Sequence, residues 1–162
     1  MPQDSAPSRS SREAHLRGVA RLSPVSVRAR AVIPRDGGIV VCRERRRGES
    51  RLTIPGGRVG QGEGTADAAR REVHEETGLE IELGPLLYVA EVVASVRRQD
   101  LNLIFLARAV GEPEGPVEVV YPAAEEVEIL PPILDRIRAD QAAGWEETGV
   151  WLGNVWQGDL GR

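Results

Sequence analysis

The sequence predicts an α/β protein built on a mixed β-sheet. Three observations carry this: β-rich runs on both sides of the chain's middle, a helix with readable ends at residues 66–77, and a second helical pattern near residue 133. At 162 residues the chain has the length of one domain with an ordinary core.

Residues 1–22 are polar and rich in Ser and Arg, and read as a flexible N-terminal arm ahead of one domain spanning 23–162. VSVRARAVI (25–33) and GGIVVCRE (37–44) alternate or run apolar as strands do, and PRDGG between them is a turn signal. RRRGES is expected to be a loop. LTIPGG then gives a short strand ending in a glycine loop. IELGPLLYVAEVVASV and LNLIFLARAV are two further β segments, with polar RRQD as the hairpin between them.

After the GEPEGP loop, VEVVYPAAEEVEIL reads as a strand and a short helix. PPILDRIRADQAAG reads as a terminal helix, with two prolines at its start, Ile133, Leu134, Ile137 and Ala142 as its apolar positions and Gly144 as its stop. WEETGVWLGNVW adds a last strand. The helix at 66–77 is framed by Thr65 as N-cap and Gly78 as a left-handed terminator. At 100° per residue Ala66, Ala69 and Val73 form its packing stripe, while Glu72, Glu75 and Glu76 share an arc of about 100°.

Three carboxylates on one face repel by a few tenths of a kcal/mol per exposed i,i+4 pair, and only Arg71 on the helix opposes them. A divalent cation would relieve that repulsion. Oxygen-only donors select hard ions, so Mg²⁺, or Mn²⁺ in its place, is the expected cofactor, with the carboxylates converging on it. The alternative is a solvated acidic face, which is what most charge runs on helices are.

Residues 57–79, GRVGQGEGTADAARREVHEETGL, fit G-x5-E-x7-R-E-U-x-E-E-x-G-U at every fixed position, where U is aliphatic. At ordinary composition such a match arises by accident in roughly one chain in ten million. The chain therefore resembles the Nudix hydrolases, which cleave a nucleoside diphosphate linked to another moiety. The resemblance implies an α/β/α sandwich with a mixed sheet and extends, less specifically, over residues 24–145.

By the same resemblance Glu72, Glu75 and Glu76 match the metal-binding glutamates, one of which can act as base toward water. Glu63 matches the outer acidic position, and Gly57 the glycine whose carbonyl can ligate metal. Glu72 and Glu75 are thus the candidate catalytic carboxylates, and Arg71 matches the arginine that orients them, against the alternative of an ordinary intrahelical pair with Glu75. Two places depart from the commonest pattern, Gly60 where many members are acidic and Leu52 where many are aromatic. A second base on a later loop is common, and Glu112, Glu114, Glu118, Glu125 and Glu126 are its candidates.

Composition narrows the rest. The net charge is −4 and all 21 basic residues are arginine, which excludes P-loop and Schiff-base lysine chemistry and supplies no cationic stripe for nucleic acid. Such usage looks like a GC-rich bacterial genome. With no apolar stretch of 18 residues and no signal-type start, neither membrane insertion nor secretion is expected and the cytoplasm is the default location. The lone Cys42 reads as a core residue.

The expected partner is a small phosphorylated substrate, most simply a nucleotide, and a homodimer is compatible with the tail. Arg28, Arg43 and Arg45, within the set Arg28, Arg30, Arg43, Arg45, Arg46 and Arg47, are the candidate phosphate clamps, against solvated strand positions. His15 and His74 read as surface histidines. Trp145, Trp151 and Trp156 read as packing a domain edge or a dimer partner, against the alternative of stacking a base. Alanine, serine, valine and arginine at 94–97 carry neither the proline associated with ADP-ribose nor the tyrosine associated with dinucleoside polyphosphates, so a nucleoside triphosphate is preferred. A non-nucleotide biosynthetic diphosphate and a non-catalytic nucleotide sensor are the alternatives.

Overall fold

In the computed structural model, residues 24–156 are described except 47, 96, 115–116 and 121–127. The N-terminal arm with His15, Arg47, Glu125, Glu126 and the short helix expected after the strand at 118 lie outside the described residues, as does the side chain of Arg46.

The strands are β1 (Val25–Val32), β2 (Pro34–Arg35), β3 (Gly38–Arg46), β4 (Glu49–Thr53), β5 (Gly56–Arg58), β6 (Glu80–Ser95), β7 (Arg98–Val110), β8 (Glu118–Val120), β9 (Ile129–Leu130) and β10 (Val150–Asn154). The helices are α1 (Thr65–Thr77) and α2 (Leu134–Ala142). The expected single sheet is two mixed sheets. One has the order β10-β6-β7-β1-β5, the other β2-β3-β4-β9 with β8 also on β3. In the first, β1 runs parallel to β7 and antiparallel to β5, and β10 runs parallel to β6.

The turns follow their chemistry. Asp36 (φ 51°) and Gly37 (φ 84°) both take positive φ, the type I′ requirement of a two-residue hairpin. RRRGES is shorter as a loop than expected: β3 continues to Arg46 and β4 starts at Glu49, around Gly48 at φ 86°. The long β6 is pinned to β7 from Glu80 to Ser95, with register shifts around Gly84–Pro85 that leave it bent rather than broken.

Side-chain alternation on β1 separates the layers. Ala29, Ala31 and Ile33 belong to clusters with Ala68, Ala69 and Val73 of α1. Val32 faces the other way, into the cluster that holds Ile104, Tyr88, Ile133, Leu134 and Ile137. α1 and α2 therefore cover opposite faces of the first sheet, the sandwich expected from the resemblance. Ala142, expected on the apolar face of α2, is exposed. Gly144 does stop the helix, with φ 74° and its N–H on the Gln141 carbonyl at 3.2 Å. Tyr88 Oη donates to Asp140 (2.6 Å), which also receives Arg136 Nε (2.7 Å), so α2 is tied to β6.

On the face that carries Val32, the apolar core covers only one end of the sheet. Toward the other end the same face presents Arg30 and Arg28 on β1, Asn102 and Asp100 on β7, and Val92 on β6. The registers Arg28↔Asn102 and Val92↔Asp100 place these side by side. A cleft opens there. Among the described residues no helix is long and apolar enough to cross a membrane.

Candidate active site

α1 is placed by its ends and by its buried stripe. Its N-cap is Gly64, extended at φ −73° and ψ 146° with no side-chain cap bond, so Thr65 is the first helical residue and not the cap. Gly78 ends the helix left-handed at φ 68°, donating its N–H to the His74 carbonyl. Thr77 Oγ1 bonds the Val73 carbonyl (2.6 Å) and receives the Leu79 N–H (3.1 Å), which fixes the exit. With Ala68, Ala69 and Val73 buried against the sheet, Arg71, Glu72, Glu75 and Glu76 flank the loop that runs from β5 to Gly64.

Arg71 gathers that loop. It grips Glu63 with both arms, Nε–Oε1 2.8 Å and Nη2–Oε2 3.0 Å, and reaches Glu72 Oε1 at 2.9 Å and the Arg58 carbonyl at 3.2 Å. Its contact to Glu75, at 3.5 Å, is the longest of the set, so the intrahelical pair is the lesser part of what it does. The guanidinium, followed by the Gly60 N–H, lowers the Glu63 pKa to about 2. Hydrogen bonds to Glu63 and then Glu72 raise that of Arg71. A charged Glu63 accepting the Gly60 N–H at 2.7 Å closes the loop on itself.

Gly57 lies hard against Glu72. A Cβ built on it would stand 2.2 Å from Glu72 Oε2, so only glycine leaves room for the carboxylate beside this backbone. The neighbouring Gly56 is held from two sides: its carbonyl accepts Arg30 Nη1 at 3.1 Å, and its N–H donates to Glu76 Oε2 at 2.9 Å. Arg30 is 5 % exposed and also bonds the Ile54 carbonyl (2.5 Å) and Asn102 Oδ1 (3.0 Å). Burial, then the nearby Arg28, lowers its pKa to about 10, still a cation at neutral pH. Embedding of the Glu76 carboxyl raises its pKa, opposed first by the Gly56 N–H. Burial and then Glu76 raise that of the Cys42 thiol, which keeps it protonated and unreactive.

The spacing of the helix led us to expect three converging carboxylates. They are distributed instead: Glu72 and Glu75 toward Arg71, Glu76 toward the Gly56 amide. Among the described residues no group of three or more His, Cys, Asp or Glu forms a metal cage. The physical reason is that Arg71 serves Glu72 and Glu75 together while Glu76 takes the Gly56 amide. The donor set still fits a hard cation, since Glu63, Glu72, Glu75, Glu76 and the Gly57 carbonyl offer oxygen alone and Gly57 is kept bare beside Glu72.

The cleft has a volume of about 820 Å³ and is floored by Arg28, Arg30, Asp100 and Asn102, with Arg58 at its side. Arg28 Nε lies 3.3 Å from the buried Asp100, which Arg98 Nε approaches at 3.4 Å. Arg28 is thus the one expected phosphate clamp brought to the cleft. Arg43 pairs with Glu118 and bonds Ser50 at 3.2 Å on the second sheet, and Arg45 is an exposed β3 residue opposite Ser50. Arg51, Arg58 and Arg98, which sequence reasoning did not select, line the cleft. The period-2 alternation that placed Arg28 on a face would have placed Arg30 on the same one.

Of the later glutamates, Glu112 pairs with Arg35 at 2.9 Å, and the Glu114 backbone lies over Gly78. Glu118 shares a smaller pocket with Glu76 and Glu44. His74 lies 3.2 Å from Glu80 on the surface. Trp145 packs on the core and Trp151 is 58 % exposed, whereas Trp156 lines the cleft.

Comparison with known proteins places this arrangement. The family model described as NUDIX domain matches residues 24–142. Comparison with curated proteins gave no match. Among solved structures, a MutT NUDIX hydrolase from Burkholderia pseudomallei is 26 % identical with a TM-score of 0.61, over 74 % of this chain and 98 % of that one. A NUDIX hydrolase from Nitrosomonas europaea is 24 % identical with a TM-score of 0.62, over 86 % and 100 %. An ADP-ribose pyrophosphatase from Streptococcus suis is 17 % identical with a TM-score of 0.58, over 80 % and 97 %. The last two attest the fold alone.

Proposed function

Because the chain belongs to the NUDIX domain family of hydrolases, enzymes that act on small phosphorylated substrates and generally use a divalent metal, we propose that it is a Mg²⁺-dependent pyrophosphohydrolase. Mn²⁺ is the substitute, and the substrate is a nucleotide, with a nucleoside triphosphate preferred. The observation that carries this reading is the Gly56 peptide, which receives the cleft-floor cation Arg30 on its carbonyl and the box carboxylate Glu76 on its N–H. The arginine-floored cleft and the carboxylate-bearing helix are thereby joined across a single residue.

Glu72, Glu75, Glu76 and the Gly57 carbonyl would hold the cation, with Glu63 in the outer position. Bound there, it supplies charge neutralisation at phosphorus and a more acidic water. The chain's own residues do the rest. Arg71 keeps Glu63 and Glu72 in place, and Gly57 leaves Glu72 its space. Arg28 and Arg58 take the phosphate oxygens, as guanidinium groups pair with phosphate in two-pronged fashion. A Glu75 or Glu76 carboxylate receives the proton of the attacking water, and no covalent enzyme intermediate is needed. Residues 94–97 lack the features associated with ADP-ribose and dinucleoside polyphosphates, which leaves the triphosphates favoured.

The test is a panel of nucleoside triphosphates, nucleoside diphosphate esters and prenyl diphosphates, incubated with Mg²⁺ or Mn²⁺ and read by product chromatography. Cleavage of a nucleotide at a diphosphate linkage, only with metal, is the expected result. Cleavage of prenyl diphosphates alone would replace the nucleotide by a biosynthetic diphosphate. Tight binding without turnover of any member would make the protein a sensor and overturn the hydrolytic reading.

A further inference from the structure

Buried polar side-chain atoms find hydrogen-bond partners in folded proteins, and an exception asks for an explanation. Among the described residues three such atoms have none: Arg28 Nε, Thr53 Oγ1 and Trp156 Nε1. All three residues line the same cleft. Arg28 has compensation in the ion pair with Asp100. Thr53 and Trp156 have no such compensation, and Thr53 is only 1 % exposed. Orphans that served no purpose would be scattered over the molecule. Here they gather where a ligand would lie.

The chemistry around them is specific. The Trp156 indole N–H can only donate, and the Thr53 hydroxyl can donate or accept. The cleft also has an apolar stretch, formed by Val92, Ala94, Leu130 and Pro131, while its arginines sit on β1, β4, β5 and β7. A group that satisfies this part of the cleft is flat enough to lie on the aliphatic surface and polar along the edge it turns to the indole N–H. A nucleobase has both properties, with ring nitrogens and carbonyl oxygens as acceptors and amino or imino groups as donors. A prenyl chain has neither donor nor acceptor and would leave both orphans buried.

Resting on the nucleotide reading above, we propose that Trp156 and Thr53 are the residues that read the substrate's base. The Trp156 Nε1–H donates to a ring nitrogen or carbonyl oxygen of the heterocycle, and the Thr53 hydroxyl bonds the same edge. Trp156 follows β10, far in sequence from the metal-binding helix, so selection of the base is assigned to a separate part of the chain from the chemistry on the phosphates. Its position is set by its own N–H on Asn154 Oδ1 at 3.2 Å and by the Val155 N–H on the Glu91 carbonyl at 3.0 Å.

The test uses the full chain with hydrolysis-resistant α,β-methylene analogues of ADP, GDP, CDP and UDP, and methylenediphosphonate as the same anion without a nucleoside. Calorimetric binding is measured for wild type, Trp156→Phe and Thr53→Val. The expected result is that each variant binds the preferred nucleoside analogue about tenfold more weakly, as loss of one buried hydrogen bond does, while methylenediphosphonate affinity changes less than twofold. A second readout is melting temperature without ligand. Thr53→Val removes an unsatisfied buried hydroxyl at nearly constant shape, so its melting point rises by about 2 to 4 °C.

Equal analogue affinities in wild type and both variants would overturn the inference. So would wild-type affinity for methylenediphosphonate that no attached nucleoside improves, with the hydrolase reading left standing. A Thr53→Val protein that melts lower and loses both probes equally would make the hydroxyl structural, and would overturn it too. The function proposed above fails on a different observation, the absence of metal-dependent cleavage by the wild type.

Discussion

Gly57→Ala should disable the site while sparing the fold, whereas Gly56→Ala should cost the fold itself. At Gly57 the atoms nearest the added Cβ are those at the end of the Glu72 side chain, at 2.2 to 2.7 Å. Glu72 can swing away, losing its part-exposed pair with Arg71, which contributes about 0.2–1 kcal/mol. Replacing glycine by alanine where the backbone allows it returns about 0.4–1 kcal/mol by restricting the unfolded chain. The two nearly cancel, so stability should stay within about 1 kcal/mol of wild type. The displaced Glu72 carboxylate, however, should weaken metal affinity by roughly ten- to a hundredfold.

At Gly56 the φ of 127° is one that other residues rarely adopt, and the Cβ would stand 2.3 Å from the Ala29 carbonyl oxygen, in backbone that cannot step aside. Strain of about 1–3 kcal/mol adds to the cost of opening the β1–β5 pairing. Urea unfolding gives the stabilities, and metal-dependent turnover with calorimetric Mn²⁺ binding gives the function. If Gly57→Ala lost as much stability as Gly56→Ala, or kept wild-type metal affinity, the reading of Gly57 as space reserved for Glu72 would be abandoned.

Glu75→Gln and Glu76→Gln should each cut turnover by several orders of magnitude with melting temperature nearly unchanged, because metal-assisted phosphoryl transfer depends on their charge; full activity in either would return that glutamate to the solvated face. Arg71→Ala should weaken metal binding by roughly ten- to a hundredfold, and hydrogen exchange at the Gly60 and Glu63 amides should speed up as the loop loses its grip. Unchanged exchange would mean that the loop closes without Arg71. Burial, and then the hydrogen bond to Asp140, raises the Tyr88 pKa above its ordinary 10. Its protonated form therefore contributes stability in full below pH 10 and loses it as the pH climbs further. Absorbance titration of the phenolate should show one tyrosine ionising only as the protein unfolds, and two tyrosines titrating together near 10 in the folded state would contradict it.

The helix was readable to within a residue because its ends are local, with Gly78 left-handed; of the expected stripe Ala69 and Val73 are buried, and Ala68 is buried where Ala66 was expected. Its cap was misread as Thr65 because the loop before it is closed by Glu63 on the Gly60 amide, a contact that propensity does not contain. Strand positions followed from alternation, but the division into two sheets did not, since alternation says which face a residue occupies and not which strand lies beside it. The same gap hid the burial of Arg30. An arginine in an alternating strand reads as solvated, and only the parallel neighbour β7, distant in sequence, brings the Asn102 that lets it be buried. Trp156 was read as a packing residue because nothing local to a tail shows the cleft it reaches.

Arg30 also sets how the protein tolerates change. Its guanidinium measures the glycine loop against the centre of the sheet, holding Ile54 and Gly56 at one end and Asn102 at the other. Position in the active loop is therefore calibrated from β7 as well as from the residues beside it. Lengthening the hairpin around Gly48 would leave that calibration alone, whereas Asn102→Leu, more than twenty residues past the last box position, would detune it. For anyone reshaping this cleft, the ruler at its base should be left in place.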